Sequence, residues 1–146
     1  MNINNQIFNI LSIKNPKKLY QINKAKQAYI VKHPECAVCG NVKSVECHHV
    51  IPVHVDILES CSTYNFISLC DSFNNGCHKW LGHFGNFKTK WNPDIRQYAV
   101  ASRLFLQKMQ PDRHFIVSTQ DLIYEYADAL DLSRETFIEQ VQLFNK

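Results

Sequence analysis

Residues 36–83 read CAVCGNVKSVECHHVIPVHVDILESCSTYNFISLCDSFNNGCHKWLGH. The stretch holds all six cysteines and five of the seven histidines, and it lacks the three- and four-residue apolar spacing of a helix. Two β-prone runs, 45–50 and 66–69, flank a polar loop. The cysteines sort by spacing. Cys36 and Cys39 form a CxxC followed by Gly40, a spacing that lets two thiolates hold one metal while glycine permits a tight turn. Cys70 and Cys77 form a wider second pair. Two such pairs suit a closed tetrahedral zinc site. A disulfide framework or a redox CxxC are the other readings. The first suits a small secreted scaffold, and the second a βαβ setting; neither context is evident here. Cys47 and Cys61 are read as core residues.

Outward from this stretch the pattern is helical. Toward the N-terminus, Leu19, Ile22, Ala25 and Tyr29 recur at helical spacing within 17–32, and His33-Pro34 ends the run. Toward the C-terminus a helix is expected over 94–109, with Ile95, Tyr98, Ala99, Leu104, Phe105 and Leu106 as its apolar face and Pro93 near its start. A second is expected from Ser118 or Thr119 to about Leu130. A third opens at Ser133 and aligns Phe137, Val141 and Phe144. The fold class read from this order is α+β, a zinc-stapled core with flanking α-helices at both ends. Its parts are a basic helical arm over 1–34, the core over 35–92 and a helical extension over 93–146, together one compact domain.

The composition agrees with a single globular unit. The chain has 146 residues, 45% of them hydrophobic and 20% charged, which excludes a disordered or collagen-like protein. No apolar run reaches the ~20 residues of a membrane span, and no signal peptide is read, so no membrane partner and a cytoplasmic setting are expected. The net charge of +3 is an average over unlike parts. Residues 1–34 carry six lysines and no acid, whereas residues 111–146 carry three basic and seven acidic side chains. A basic block can meet a phosphate backbone or simply be a solvated helix face.

The histidines suggest chemistry. His48 and His49 are adjacent on a β-prone run, where neighbouring side chains point to opposite faces. One can hold a metal while the other stays free as a base, a division suited to phosphodiester cleavage. Asn65 precedes the second run, His78 follows Cys77, and His83 lies five residues further on.

In the order CAVCG, ECHHVIP, YNFISLC, GCHKWLGH, residues 36–83 resemble the zinc-containing HNH endonucleases of the ββα-metal type. The resemblance implies a two-stranded hairpin followed by a helix, with a metal held between them. It implies that His49 is the general base and that Asn65 braces the loop and orients that base. His48 and His78, with His83, would hold one divalent cation (Mg²⁺, Mn²⁺, Ni²⁺ or Zn²⁺), and Cys36, Cys39, Cys70 and Cys77 the structural zinc. The implied activity is metal-dependent hydrolysis of nucleic-acid phosphodiester bonds, DNA foremost, leaving 5′-phosphate and 3′-hydroxyl ends. Small proteins of this family are typical of phage and mobile elements, which would place the chain in a bacterium or a phage-infected cell. The chain departs from the family in one respect: Cys70 and Cys77 are four residues further apart than the usual CxxC. A zinc-stabilised DNA-binding or adaptor module of a larger nucleic-acid machine, without cleavage of its own, is the alternative.

Lys79, Trp80, Phe84, Phe87, Lys88, Lys90 and Trp91 interleave basic and aromatic side chains just after the motif. Lys79, Lys88 and Lys90 are candidates for phosphate contact. The rings are expected to pack the motif against the flanking helices. His33, His54 and His114 are expected at the surface.

Overall fold

A computed structural model describes residues 15–71 and 76–145. The first fourteen residues, including Lys14, and residues 72–75 within the second cysteine pair lie outside the described residues. The architecture is α+β: the described residues form a two-stranded antiparallel sheet and four α-helices, α1 (Pro16–Lys32), β1 (Val45–His49), β2 (Phe66–Cys70), α2 (Ile95–Met109), α3 (Thr119–Ala129) and α4 (Arg134–Gln142). No helix among the described residues is long and apolar enough to cross a membrane.

The strands pair with Val45 opposite Cys70, His48 opposite Ile67 and His49 opposite Phe66. Because side chains alternate, Glu46 and His48 share one face with Ile67 and Leu69, while Cys47 and His49 share the other with Phe66. β2 is buried at every position, so it carries apolar residues on both faces. On the first face Ile67 and Leu69 join Ile95, Ala99 and Val100 of α2, Leu122 and Tyr126 of α3, and Phe137 and Val141 of α4 in the main core. On the second face Tyr29 of α1 closes a smaller cluster with Cys47 and Phe66.

The helix starts follow side-chain capping. Asn15 Oδ1 accepts from Lys17 N at 2.9 Å, with Pro16 in the first turn. Ser118 Oγ accepts from Asp121 N at 3.0 Å, and Ser133 Oγ from Thr136 N at 3.1 Å. α2 begins differently: Asp94 makes no side-chain cap, and Asn92 Oδ1 instead accepts from Asp94 N at 2.9 Å.

Three expectations about faces need correction. α2 does not bury Leu104 and Phe105, which stay exposed; it buries Ile95, Ala99 and Val100 together with Arg96, Gln97 and Arg103. The two arginines lie inward because they donate to the backbone carbonyls of Tyr64, Ala37 and Cys36, and Gln97 donates to Gln140 Oε1, long-range partners that apolar spacing does not register. Leu19 and Phe144 are likewise exposed, as the sheet and core are too small to cover the full length of α1 or the chain beyond α4. After β2 the implied helix is a single π-helical turn, His78–Gly82.

His33 is not a free surface residue either. Its ring stacks on Tyr29 at 4.0 Å between centroids, and its Nε2 lies 2.7 Å from Glu125 Oε2 of α3, while Tyr29 Oη donates to Glu125 Oε1 at 3.0 Å. This joins α1 to α3. Burial opposes a charge on His33, but the Glu125 carboxylate outweighs it and lifts the imidazole pKa above its ordinary 6.5. A raised folded-state pKa contributes stability that is fully present below 6.5 and fades as pH rises through the folded value. Replacing His33 by Gln is therefore expected to destabilise the protein by roughly 1 kcal/mol at pH 5.5 and by much less at pH 9. Urea unfolding of both proteins at the two pH values checks this; an equal loss at both would show that the ion pair does not contribute.

Candidate metal centres

Cys36, Cys39, Cys70 and Cys77 bring their sulfurs within 4.8 Å of one another. Cys39 and Cys70 Sγ are 3.8 Å apart, matching the ~3.8 Å edge of a tetrahedron with Zn–S of about 2.3 Å. The donor set thus fits a zinc ion, and all six cysteines are free thiols. The first pair forms a tight turn in which Gly40 N donates to Cys36 O at 2.9 Å. Gly40 has φ +77° and lies against the Arg113 guanidinium and Phe115 ring, so a β-carbon there would clash as well as strain the backbone.

The wide second pair closes despite its extra residues. Gly76 presses onto Cys70, where a β-carbon would come 2.4 Å from the Cys70 carbonyl oxygen, and Cys77 N donates to Cys70 Sγ at 3.4 Å. The insertion leaves Cys70 and Cys77 beside each other. Donation to Cys39 by the neighbouring Cys36 and Cys77 thiols lowers the Cys39 pKa, and the same bonds hold Cys36 and Cys77 protonated.

Sequence reading missed what shapes the first pair. Arg103 of α2, fully buried, donates from Nε to Ala37 O at 2.7 Å and from Nη2 to Cys36 O at 2.9 Å. Ser102 Oγ donates to Val38 O at 2.8 Å and Arg113 Nη2 to Cys39 O at 2.7 Å. Four successive carbonyls of the knuckle are held by the chain around α2. Arg103 Nη2 also lies 3.2 Å from Glu35 Oε1, itself buried and accepting from Val117 N at 3.0 Å.

The second cluster is the triad His48, His78 and His83, with ligand nitrogens within 4.8 Å of one another. His48 comes from β1, His78 from the π-helical turn, and His83 ends that turn. Their ring centroids are 4.7 to 5.0 Å apart. Gly82 makes room for them: a β-carbon there would sit 3.4 Å from His48 Nε2. His83 Nδ1 donates to Lys90 O at 2.7 Å, leaving its Nε2 lone pair free. His48 Nε2 is buried without a hydrogen-bond partner among the described residues. Burial, then the neighbouring rings, holds His48 well below its ordinary pKa, and burial with His83 takes His78 down to about 4. Three imidazoles with their nitrogens this close are suited to a divalent cation. Glu46 and Asp71 adjoin the triad, with Glu46 Oε2 lying 3.3 Å from His78 Nδ1.

His49 is at the end of β1 with its ring edge against Phe66. Its Nε2–H donates to Ser60 O at 2.8 Å, which leaves Nδ1 as the proton acceptor. Burial lowers its pKa, and the Ser60 bond partly offsets that. Asn65, buried, spans the loop that carries Ser60: its Oδ1 accepts from Ile51 N at 2.7 Å, and its Nδ2 donates to Ile51 O at 2.9 Å and Glu59 O at 3.4 Å. Cys47 packs in the small cluster beneath α1, with burial raising its pKa to about 12, and Cys61 is half-buried beside Ser60. Neither belongs to the sulfur cluster.

Among the cations, Lys88 and Lys90 are exposed and Lys79 is half-buried. Lys26 of α1 is a further one: its charge acts on Glu46, Cys47, His48, His49 and His78. The rings of Trp80, Phe84 and Phe87 are exposed, contrary to the expectation that they pack the motif against the flanking helices. His54 and His114 are exposed. Neither the protein-family models, the curated proteins nor the solved structures contain a match to this chain.

Two outcomes follow from the sulfur cluster. Purified protein is expected to carry about one zinc per chain. Substituting Ala for Cys39 or for Cys70 should release it and lower the thermal midpoint by roughly 10 °C or more, as read by elemental analysis and calorimetry. Retention of zinc in both variants would exclude this site. Changing Arg103 to Met strands the buried Glu35 carboxylate and the knuckle carbonyls, so a loss of about 3–5 kcal/mol is expected. Combining it with Glu35→Gln should recover part of that loss; strict additivity in chemical unfolding would show that the two side chains are not coupled.

Proposed function

We propose that the protein is a metal-dependent endonuclease of the HNH type that hydrolyses nucleic-acid phosphodiester bonds, DNA foremost. The observation that supports this reading is the His48–His78–His83 triad, together with His49, next to His48 at the end of β1 and on the other sheet face, with its tautomer selected. Ser60 O takes the Nε2–H, so Nδ1 is the atom that accepts a proton from an attacking water. The depressed pKa of His49 keeps the ring neutral and ready at pH 7. Asn65 supports this by fixing the loop from Ile51 to Glu59, which sets the position of the Ser60 carbonyl. On this reading Asn65 acts on the base and not on the phosphate.

A divalent cation on His48, His78 and His83 would offset charge on the phosphoryl oxygens and the departing 3′ oxygen. Glu46 Oε2 lies 3.3 Å from His78 Nδ1 without a hydrogen bond to it and would add negative charge beside the cation. The four cysteines serve as the structural zinc site, at the base of the segment that carries His78. Lys26, Lys79, Lys88 and Lys90 supply the positive charge for a phosphate backbone.

Supercoiled plasmid with added Mg²⁺, Mn²⁺, Ni²⁺ or Zn²⁺ provides the test. Wild-type protein is expected to nick it with at least one of these ions, and His49→Ala to be slower by roughly 10²–10⁴-fold. Equal nicking by both proteins would remove His49 from catalysis. Binding without nicking under every ion would favour the adaptor alternative.

A further inference from the structure

The segment from Gly76 to Pro93 contains no acidic residue, three lysines and four aromatic rings. Trp80 and Phe84 are 53% and 52% exposed, and Phe87 is 38% exposed. Exposed rings alone would mean little, but here the backbone is constrained to present them. Phe84 has φ +50° and Gly85 φ +85°, two successive residues in the left-handed region. Glycine accepts this freely, whereas phenylalanine does so at an energetic cost. The cost is not recovered by burial, since the Phe84 ring stands in solvent. A strained position carrying an exposed apolar ring is a poor folding device and a reasonable binding one.

The loop that holds the rings is firmly tied. Gly85 N donates to Lys79 O at 2.8 Å, Asn86 N to His83 O at 2.9 Å, and Lys88 N to Asn86 Oδ1 at 3.0 Å. The Trp80 ring lies against Gly85, where a β-carbon would come 3.1 Å from Trp80 Cζ3, and Lys79 Nζ sits 4.9 Å from the Trp80 ring centre. Phe87 contacts both His78 and His83, at 5.1 and 5.0 Å between centroids. The rings are thus fixed relative to the histidine triad, with cations interspersed.

We propose that Trp80 and Phe84, with Phe87 next to the triad, form a stacking platform for unpaired bases, and that the substrate class is single-stranded nucleic acid or a single-stranded segment of a larger one. Aromatic faces stack on base faces, and these are open in a single strand but covered by neighbouring base pairs in a duplex. Lys79, Lys88 and Lys90 match the accompanying phosphate charge. The inference rests on the nucleic-acid reading above and refines it from DNA in general to unpaired strands.

The test uses the zinc-loaded full chain carrying His49→Ala to suppress turnover, and fluorescein-labelled oligonucleotides of one sequence as single strand and as blunt duplex. Anisotropy is expected to show at least tenfold tighter binding of the single strand. Trp80→Leu and Phe84→Gly should each weaken it by about fivefold or more, with duplex binding unchanged. Phe84→Gly should also keep or raise the thermal midpoint, because glycine relieves the left-handed strain. Equal affinity for the two oligonucleotides, unchanged affinity in both variants, or a lowered midpoint in Phe84→Gly would each overturn the proposal. So would a concentration-dependent dimer in sedimentation that Trp80→Leu abolishes, since the rings would then meet a second copy of the chain. Failure of the nuclease reading has a separate signature: wild-type protein that binds single strands by these rings yet cleaves nothing.

Discussion

The guanidinium of Arg103, buried beneath the first cysteine pair, is the contact on which the rest of the structure depends. It donates to the carbonyls of Cys36, Ala37 and Val117 and faces the buried Glu35 carboxylate. A planar fork with five donors can satisfy several acceptors from one fixed position, which an ammonium on a flexible stem does not do. The CxxC backbone is thereby shaped from outside, by a helix sixty and more residues later in the chain. A short knuckle has little core of its own, and without these donors the Ala37 carbonyl would lose the Arg103 bond and the Cys36 carbonyl would keep only Gly40 N. With Ser102 and Arg113 taking the neighbouring carbonyls, the knuckle becomes part of the α2 surface. Ala37 N in turn donates to Ser68 O, which links the same segment to β2.

From there the dependence runs outward to the histidines. Cys70 ends β2 and Cys77 directly precedes His78, so whatever holds the sulfurs together also sets the start of the π-helical turn. The turn brings His78 and His83 over His48 across Gly82. The two clusters share an electrostatic property. Each holds groups that work against a like charge beside them: Cys36 and Cys77 stay protonated while donating to Cys39, and burial keeps His48 and His78 neutral. A cation at either cluster would relieve its conflict, letting the thiols deprotonate or giving the imidazole lone pairs an acceptor. In each case the protein holds the donors near their final positions through contacts outside the cluster, namely Arg103 for the sulfurs and the Lys90 carbonyl for His83.

The sequence made the local parts of this arrangement legible. The CxxC-Gly, the two strands, the Ser118 and Ser133 caps and the four α-helices all depend on neighbours a few residues away, and they stand within a residue or two of where spacing put them. Arg103, Arg113 and Glu35 were not legible, because an arginine at a helical position reads as solvent-facing unless its distant acceptors are known. The same blindness misassigned the face of α2: Leu104 and Phe105 matched an apolar period, while the buried side was chosen by the carbonyls that Arg96 and Arg103 had to reach. His33 read as a loop residue because its partner, Glu125, lies on α3. The closure of Cys70 on Cys77 rests on the absence of a side chain at Gly76, a signal that a lone glycine in a polar loop does not announce.

The site divides its tasks between rigid and extended chain, and the division has a physical reason. Metal donors need positions good to a fraction of an ångström, so they come from a strand, a knuckle and one helical turn, each pinned by backbone bonds. On the nuclease reading proposed above, His49 as base would need one correct tautomer and an open face, and a loop suffices if its carbonyl is held. Asn65 provides that hold with both ends of its amide, pairing with Ile51 as a neighbouring strand would and reaching Glu59, the residue before Ser60. An aspartate in its place would accept from Ile51 N but could not donate to the two carbonyls, and a leucine would do neither. The loop between the strands would then lose the bonds that bring its two ends together, and Ser60 O would no longer have a fixed place from which to hold the His49 Nε2–H. If His49 is the base, its chemistry would therefore depend on a residue that need touch neither metal nor phosphate.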